Sequence, residues 1–309
     1  MSEIFISPDE VSIELPVHSN LLAAAVDAGI PIAHLCGGRG RCSTCRVRIM
    51  EGQGQLSDPT DLESAMAAKL DFPSDVRLAC QTDVAGSVRL WRLVLDTIDV
   101  EMASQLGEGH YVGPVGRDIE GAAVMFADVA GFTALSESLP AYDVVHMLNR
   151  FFNRAGLAVE SNGGRVDNYM GDGLLAVFGI EDATDAAFSA VKAGLEVLEV
   201  AADMNTYVNI IYGHAFKVRI GISLGEVIFG LMGGESSARE TVIGDAVNTA
   251  SRLESANKTT DTTMLVTEEV HEETDGRVQF GSRFELELQG KDSHVVAYSV
   301  VGLSDSDPT

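Results

Sequence analysis

The chain has 309 residues and only four cysteines, three of them within the ten-residue stretch CGGRGRCSTC, Cys36 to Cys45. Cys80 follows after 34 intervening residues, in RLACQT. Clustered thiolates are soft ligands, and in a reducing compartment such clusters bind metals or carry redox chemistry rather than forming disulfides. Zinc ribbons and knuckles use two tight C-x2-C pairs, and here only Cys42 and Cys45 make one. A [2Fe–2S] cluster needs four thiolates and tolerates a long wrapping loop. Gly37, Gly38 and Gly40 would let backbone N–H groups approach the sulfurs where a Cβ would intrude. With no cysteine left over, Cys36, Cys42, Cys45 and Cys80 read as the ligands of a [2Fe–2S] cluster, with zinc as the second choice.

A second group of residues suits a nucleoside triphosphate. AAVMFADV is an apolar strand ending on Asp128, and the tight turn in YMGDGLL presents Asp172. A carboxylate at a strand end and one at a hairpin turn can converge, and hard oxygen ligands favour Mg²⁺ or Mn²⁺. The amides of Val129, Ala130, Gly131, Phe132 and Thr133 enter a helix, a place that suits phosphate. In TVIGDAVNTASRLESA, Asn248 and Arg252 stand four apart on a helix, hence on one face. Each feature has a plainer explanation as a turn residue, a helix cap or a solvated face. Their combination carries the argument.

The elements around these residues divide the chain in two. EIFISPDEVSIELP reads as two short strands around an Asp-Glu turn. NLLAAAVDAGI reads as a helix capped by Asn20 and stopped by Gly29 and Pro31. CRVRIMEG and SVRLWRL read as further strands. Glycines and a proline between Gly107 and Gly116 mark a boundary. The expected division is residues 1–95, a linker or transmission segment at 96–119, a second domain at 120–301 and a tail at 302–309. An apolar content of 46% supplies cores for both.

The net charge of −25 argues against nucleic acid, whose phosphates need clustered Lys and Arg. Residues 1–95 carry 8 basic and 12 acidic side chains, a net −4, and residues 96–309 carry 13 and 34, a net −21. A nucleotide site in the second half must therefore be locally positive or use bound metal. The N-terminus lacks signal-peptide character and no apolar run could span a bilayer, so the expectation is a cytoplasmic protein without membrane insertion. The histidines include no metal-spaced pair, and there is no P-loop and no G-x-S-x-G elbow.

The first 95 residues resemble β-grasp ferredoxins, with the cluster loop just after the first helix. The C-x5-C spacing is similar to the adrenodoxin type and to ferredoxin domains of bacterial flavoprotein reductases. Roughly residues 118–301 resemble the class III nucleotidyl cyclases through FADVAGFTALSE, MGDGLLAVFG, VRIGISLGEVIFG and VIGDAVNTASRLE, in order. The resemblance implies an α+β chain: a β-grasp domain followed by a βαββαβ palm that works as a head-to-tail dimer. It implies that Asp128 and Asp172 bind two metal ions, that Asn248 positions the ribose and that Arg252 neutralises charge on the α-phosphate. In the family the aspartates come from one subunit and the Asn/Arg pair from the other. One chain with both sets implies a homodimer with two equivalent sites.

Three positions depart from the family pattern. Asn168 stands where a lysine usually contacts adenine. Arg239 aligns with the base-reading Asp or Thr. Gln289 occupies the position of a late phosphate-gripping lysine, with Lys291 two residues on. The expected function is an adenylate cyclase making cyclic AMP and pyrophosphate from ATP, regulated through the cluster by an electron-donor protein. The alternatives are a cyclase using GTP or another triphosphate, and an electron-transfer ferredoxin with a nucleotide-binding domain that does no chemistry.

Overall fold

The computed structural model describes residues 2–93, 116–233, 238–288 and 294–304. They form two compact units, each with its own large sheet.

In the first unit β1 (Ser2–Ser7) and β2 (Val11–Leu15) form the expected hairpin, Ile4 opposite Ile13. The turn is held to the sheet by Asp9, which takes two hydrogen bonds from Arg92 at 2.6 and 2.9 Å. β3 (Ser19–Asn20) leads into helix α1 (Leu21–Asp27). The Asn20 side chain accepts from Ala23 N, as its capping position predicts. β4 (Arg46–Glu51), β5 (Val76–Leu78), β6 (Asp83–Val84) and β7 (Val88–Arg92) follow. The main sheet runs β2-β1-β7-β4-β5, with β1 and β7 parallel. Leu21, Leu22 and Ala25 share one core with Ile4, Ile6, Val47, Ile49 and Leu90. A mixed sheet with a helix on it is the expected β-grasp arrangement.

Helix α2 (Asp61–Leu70) is an element the sequence reading passed over. Its signal is present: Thr60 and Glu63 have capping-box spacing, and Thr60 Oγ1 accepts from Glu63 N at 3.2 Å. The Glu63 side chain serves elsewhere. It is 2% exposed, takes two hydrogen bonds from Arg77 at 2.9 and 3.0 Å, and accepts from Leu78 N at 2.6 Å. This fully bonded pair fastens α2 to the segment that leads to Cys80.

The second unit is built on β8 (Gly116–Val129), β9 (Gly164–Met170), β10 (Gly173–Phe178), β11 (Val218–Met232), β12 (Arg239–Ile243), β13 (Met264–Thr267), β14 (Val278–Leu286) and β15 (Val295–Leu303). The order is β14-β15-β13-β11-β8-β10-β9, with β12 against β11. Helices α3 (Phe132–Ser138), α4 (Ala141–Ser161), α5 (Ala186–Tyr212), α6 (Asp245–Thr260) and α7 (Glu268–Glu273) complete it.

Strand β8 reads as an apolar run because both of its faces are buried. Ala123, Met125, Ala127 and Val129 join the core of α4 and α5, whereas Ala122 and Val124 join that of α6. Gly116 to Ile119, which fall in the expected linker, are the first residues of β8, and Ile119 packs in the core. The rest of the expected linker, residues 96–115, lies outside the described residues. At the other end β15 takes in Gly302 and Leu303, both expected in the tail.

Candidate active site and the four-cysteine loop

The four thiols come together without a disulfide. They form two pairs. Cys45 Sγ lies 3.5 Å from Cys80 Sγ, and Cys36 hydrogen-bonds to the Cys42 side chain. The loop that allows this has Gly37, Gly38 and Gly40 at φ of 68°, 81° and 70°, the left-handed region that favours glycine. A Cβ on Gly40 would press on the Gln81 side chain at 3.1 Å and on Leu62 Cβ at 3.3 Å. Asn20 caps α1 with its oxygen and donates its amide to the Cys80 carbonyl at 3.1 Å. Ala79 N donates to Cys45 O at 3.0 Å. Helix α1 and the two cysteine segments are thus bonded to one another.

The thiols differ in how readily they ionise. The hydrogen bond from Cys45 brings the Cys80 pKa down to about 6, and that same bond, with burial, pushes Cys45 up. Burial opposes ionisation of Cys36, but the Cys42 side chain and the amides of Arg41, Arg39 and Cys42 overcome it and lower its pKa. Among the described residues no three His, Cys, Asp or Glu side chains close on one point as a single metal ion needs. Four thiols in two pairs are a set that a two-iron cluster can use.

In the second unit Asp128 sits directly opposite Gly173 in the β8–β10 register, beside Asp172 at the turn. A Cβ on Gly173 would come within 2.9 Å of the Asp128 carboxylate, so glycine there leaves room for it. Gly171 turns the hairpin at φ 63°. The carboxylates repel each other. Asp128 is pushed up to about 7, first by burial, then by the charges of Asp172 and Glu254. Burial also raises Asp172. Two converging carboxylates that resist ionising together are suited to a divalent cation, and two protein ligands leave positions for phosphate oxygens and water.

The amides from Val129 to Thr133 do not all serve one purpose. Ala130 N is committed to Lys217 O at 2.8 Å, which fixes the end of β8 against β11. Gly131 adopts φ 73° and starts α3, whose first turn carries the amides of Phe132 and Thr133. Asn248, exposed, and Arg252, half-buried, lie on α6 as expected.

The residues expected to read the base lie on β9 and β12. Asn168 lies on β9 opposite Leu175, and a bulge follows at Asp167. Arg239 is exposed at the first residue of β12. The β12 side chain that reaches this part of β9 is Thr241, whose hydroxyl donates to Asp167 Oδ2 at 2.6 Å. Asp167 Oδ1 is buried with no hydrogen-bond partner. Lys291 falls outside the described residues. Sequence reasoning missed Thr241, although it stands in the same TVIGD segment. It also missed Glu254, two residues after Arg252, because neither lies in a pattern with chemistry of its own.

The palm-like sheet with its paired carboxylates is that of a nucleotidyl cyclase domain. Residues 116–302 match the adenylate and guanylate cyclase catalytic domain, and the chain belongs to that family. Residues 4–85 match the 2Fe-2S iron-sulfur cluster binding domain. The chain is 32% identical over 181 residues to an adenylate cyclase of Anabaena cylindrica, covering 57% of this chain and 36% of that protein. It is 26% identical over 314 residues to adenylate cyclase 1 of Rhizobium meliloti (strain 1021), covering 98% of this chain and 44% of that protein. It thus spans less than half the length of either relative. Among solved structures, the guanylyl cyclase Cya2 matches at 29% identity and a TM-score of 0.57, over 62% of this chain and 95% of that one. The adenylyl cyclase CyaB from P. aeruginosa matches at 26% and 0.56, over 62% and 97%. Among the described residues no helix is long and apolar enough to cross a membrane.

Proposed function

We propose that the chain is an adenylate cyclase, converting ATP to cyclic AMP and pyrophosphate in a homodimer whose output depends on the redox state of a [2Fe–2S] cluster. The observation that carries the catalytic reading is the convergence of Asp128 and Asp172 across the β8–β10 pair. These two residues would hold Mg²⁺ or Mn²⁺, which when bound supplies Lewis acidity toward the ribose 3′-hydroxyl and the triphosphate. In the reaction the 3′-oxygen bonds to the α-phosphorus, the bridge to the β-phosphate breaks, and the hydroxyl proton passes to solvent. Arg252 would meet charge growing on the α-phosphoryl oxygens, where loss of such a contact typically costs about 3–4 kcal/mol. Asn248 would orient the ribose, and the amides of Gly131 to Thr133 would face the triphosphate.

Helix geometry supports a two-chain site. Asn248 and Arg252 share a face, whereas Glu254, about 200° further round the helix, bears on its own chain's carboxylates. The Asn/Arg pair therefore faces away from Asp128 and Asp172 of the same chain. Ile228 and Ile243, 42% and 50% exposed, give β11 and β12 apolar surface for a second copy to cover. The match to the Rhizobium meliloti adenylate cyclase runs across both domains, which supports a working link between cluster and cyclase.

The names of the curated relatives favour ATP. The likeness to a guanylyl cyclase keeps GTP as a second substrate, and so does the base site. Asn168 can donate or accept, and an Asp167 oxygen lacks a partner. Such a pair can meet the N6 amine of adenine or the donors of guanine, so it rejects the wrong base only weakly. The test is pyrophosphate release from each of the four triphosphates with Mn²⁺, with the cluster oxidised and then dithionite-reduced. ATP is expected to give the highest kcat/KM, and the rate is expected to change with the cluster's state. Tight nucleotide binding without pyrophosphate would replace this proposal with a nucleotide-binding ferredoxin.

A further inference from the structure

Helix α2 supplies none of the four thiols, yet its cap is bonded through one side chain to Cys80. That side chain is Gln81, the last residue of the turn Ala79–Gln81. Its amide nitrogen lies 3.6 Å from Cys80 Sγ, an ordinary length for a sulfur acceptor, 3.3 Å from Cys80 O and 3.4 Å from Gly38 O. The two carbonyls, and a thiolate sulfur, are acceptors, so the NH2 end of the amide must face them and the oxygen must face the other way. On that other side stands Thr60, whose hydroxyl donates to Gln81 Oε1 at 2.9 Å and accepts from Glu63 N at 3.2 Å. Glu63, through Arg77 and Leu78 N, holds the same helix to the segment that leads to Cys80. The loop leaves the amide its place: a Cβ on Gly40 would come within 3.1 Å of the Gln81 side chain and 3.3 Å of Leu62 Cβ on α2. Helix cap, amide and sulfur thus form one hydrogen-bonded chain.

We propose that Gln81, with Thr60 as its positioning residue, raises the reduction potential of the cluster, so that helix α2 helps decide which electron donors can switch the protein. The inference deepens the redox reading above and rests on a [2Fe–2S] cluster at the four cysteines; it does not depend on the cyclase chemistry. Reduction moves one electron from a one-electron carrier onto the cluster, with no bond made or broken, and part of the added negative charge falls on the sulfurs. An N–H aimed at a ligand sulfur stabilises that charge more strongly in the reduced state than in the oxidised one, and so favours reduction. The same amide turned over would aim its oxygen at the sulfur and oppose reduction. The Thr60 hydroxyl, already holding Glu63 N on its oxygen, has its one hydrogen for Gln81 Oε1 and favours the first orientation. Neither residue ligates iron, and both leave the four thiols as they are.

The test is an anaerobic redox titration of the full-length protein with dithionite and mediator dyes, the cluster's visible absorbance giving the midpoint potential. Gln81→Met keeps the length of the side chain and removes the donor. It should lower the potential by roughly a tenfold change in the equilibrium constant for one electron, about 59 mV. Thr60→Val, which keeps the shape and removes the hydroxyl, should lower it by a smaller step, and Thr60→Ser should restore the wild-type value. A purely structural role for Thr60 as a helix cap would lower Tm in Thr60→Val and leave the potential where it was. If Gln81→Met does not assemble a cluster, Thr60→Val decides the matter. An unchanged or raised potential in Gln81→Met overturns the proposal, and an unchanged one in Thr60→Val overturns the part given to helix α2. Wild-type protein with no cluster absorbance to titrate would instead overturn the cluster reading itself.

Discussion

Asp128 shows how burial and neighbouring charge make a single carboxyl resist ionisation. Its ordinary value is 3.8, and burial with the neighbouring charges of Asp172 and Glu254 pushes it up to about 7. Between roughly pH 4 and pH 7 the metal-free folded state therefore binds a proton that the unfolded chain has released, so stability falls as pH rises through this window. In EDTA, Tm should drop between pH 5 and pH 7.5, and the drop should be smaller in Asp128→Asn. Parallel slopes for the two proteins would show that the carboxyl is not strained. With saturating Mg²⁺ the wild-type slope should flatten. The thiols make a second prediction at this size. Anaerobically purified protein should be red-brown, with about two irons and two sulfides per chain. Cys42→Ser should lose the colour and leave the cyclase domain folded, whereas stoichiometric zinc in colourless wild type would refute the cluster.

The elements act through close contacts of backbone with backbone. Helix α6 lies on β11 only because residue 221 has no side chain. Gly221→Ala adds one methyl between them, and overpacking of this kind typically costs about 1–3 kcal/mol. The substitution should lower the Tm of the second unit and reduce kcat, because Asn248 and Arg252 are carried on the displaced helix. Differential scanning calorimetry, with cluster absorbance followed in parallel, separates the two effects. An unchanged cyclase transition would mean the helix absorbs the methyl by sliding. In the first unit α2 plays a comparable part: its Glu63, buried and fully bonded to Arg77 and Leu78 N, holds the approach to Cys80.

At the level of the assembled protein, the proposed site takes its carboxylates from one chain and its Asn/Arg pair from another. Asp128→Ala and Arg252→Ala should each be nearly inactive alone. Allowed to exchange subunits, half the dimers become mixed and each has one intact site, so activity should return to roughly a quarter of wild type. Demonstrated exchange without recovery would refute the shared site. The charge distribution fits such a site. A second half with a net −21 gains from bound divalent cations and from an arginine brought in by a partner.

Much of this was legible in the order of residues. The four-cysteine spacing, the glycines around it, the Asn20 cap, the strand ending on Asp128 and the hairpin presenting Asp172 are local patterns. Local patterns are set by backbone geometry that sequence expresses directly. Thr241 and Glu254 were not legible, because their importance is a matter of neighbours far away in the chain. Asp167 meets Thr241 across 74 residues, and the charge of Glu254 acts on Asp128 because β8 and β11 lie side by side. Which β12 side chain reaches β9 was not legible either: order along the chain does not give it, whereas the strand's pairing and its bulge bring Thr241 to Asp167. Pairing register depends on which faces must be buried together, and that is a property of the folded sheet rather than of any one segment.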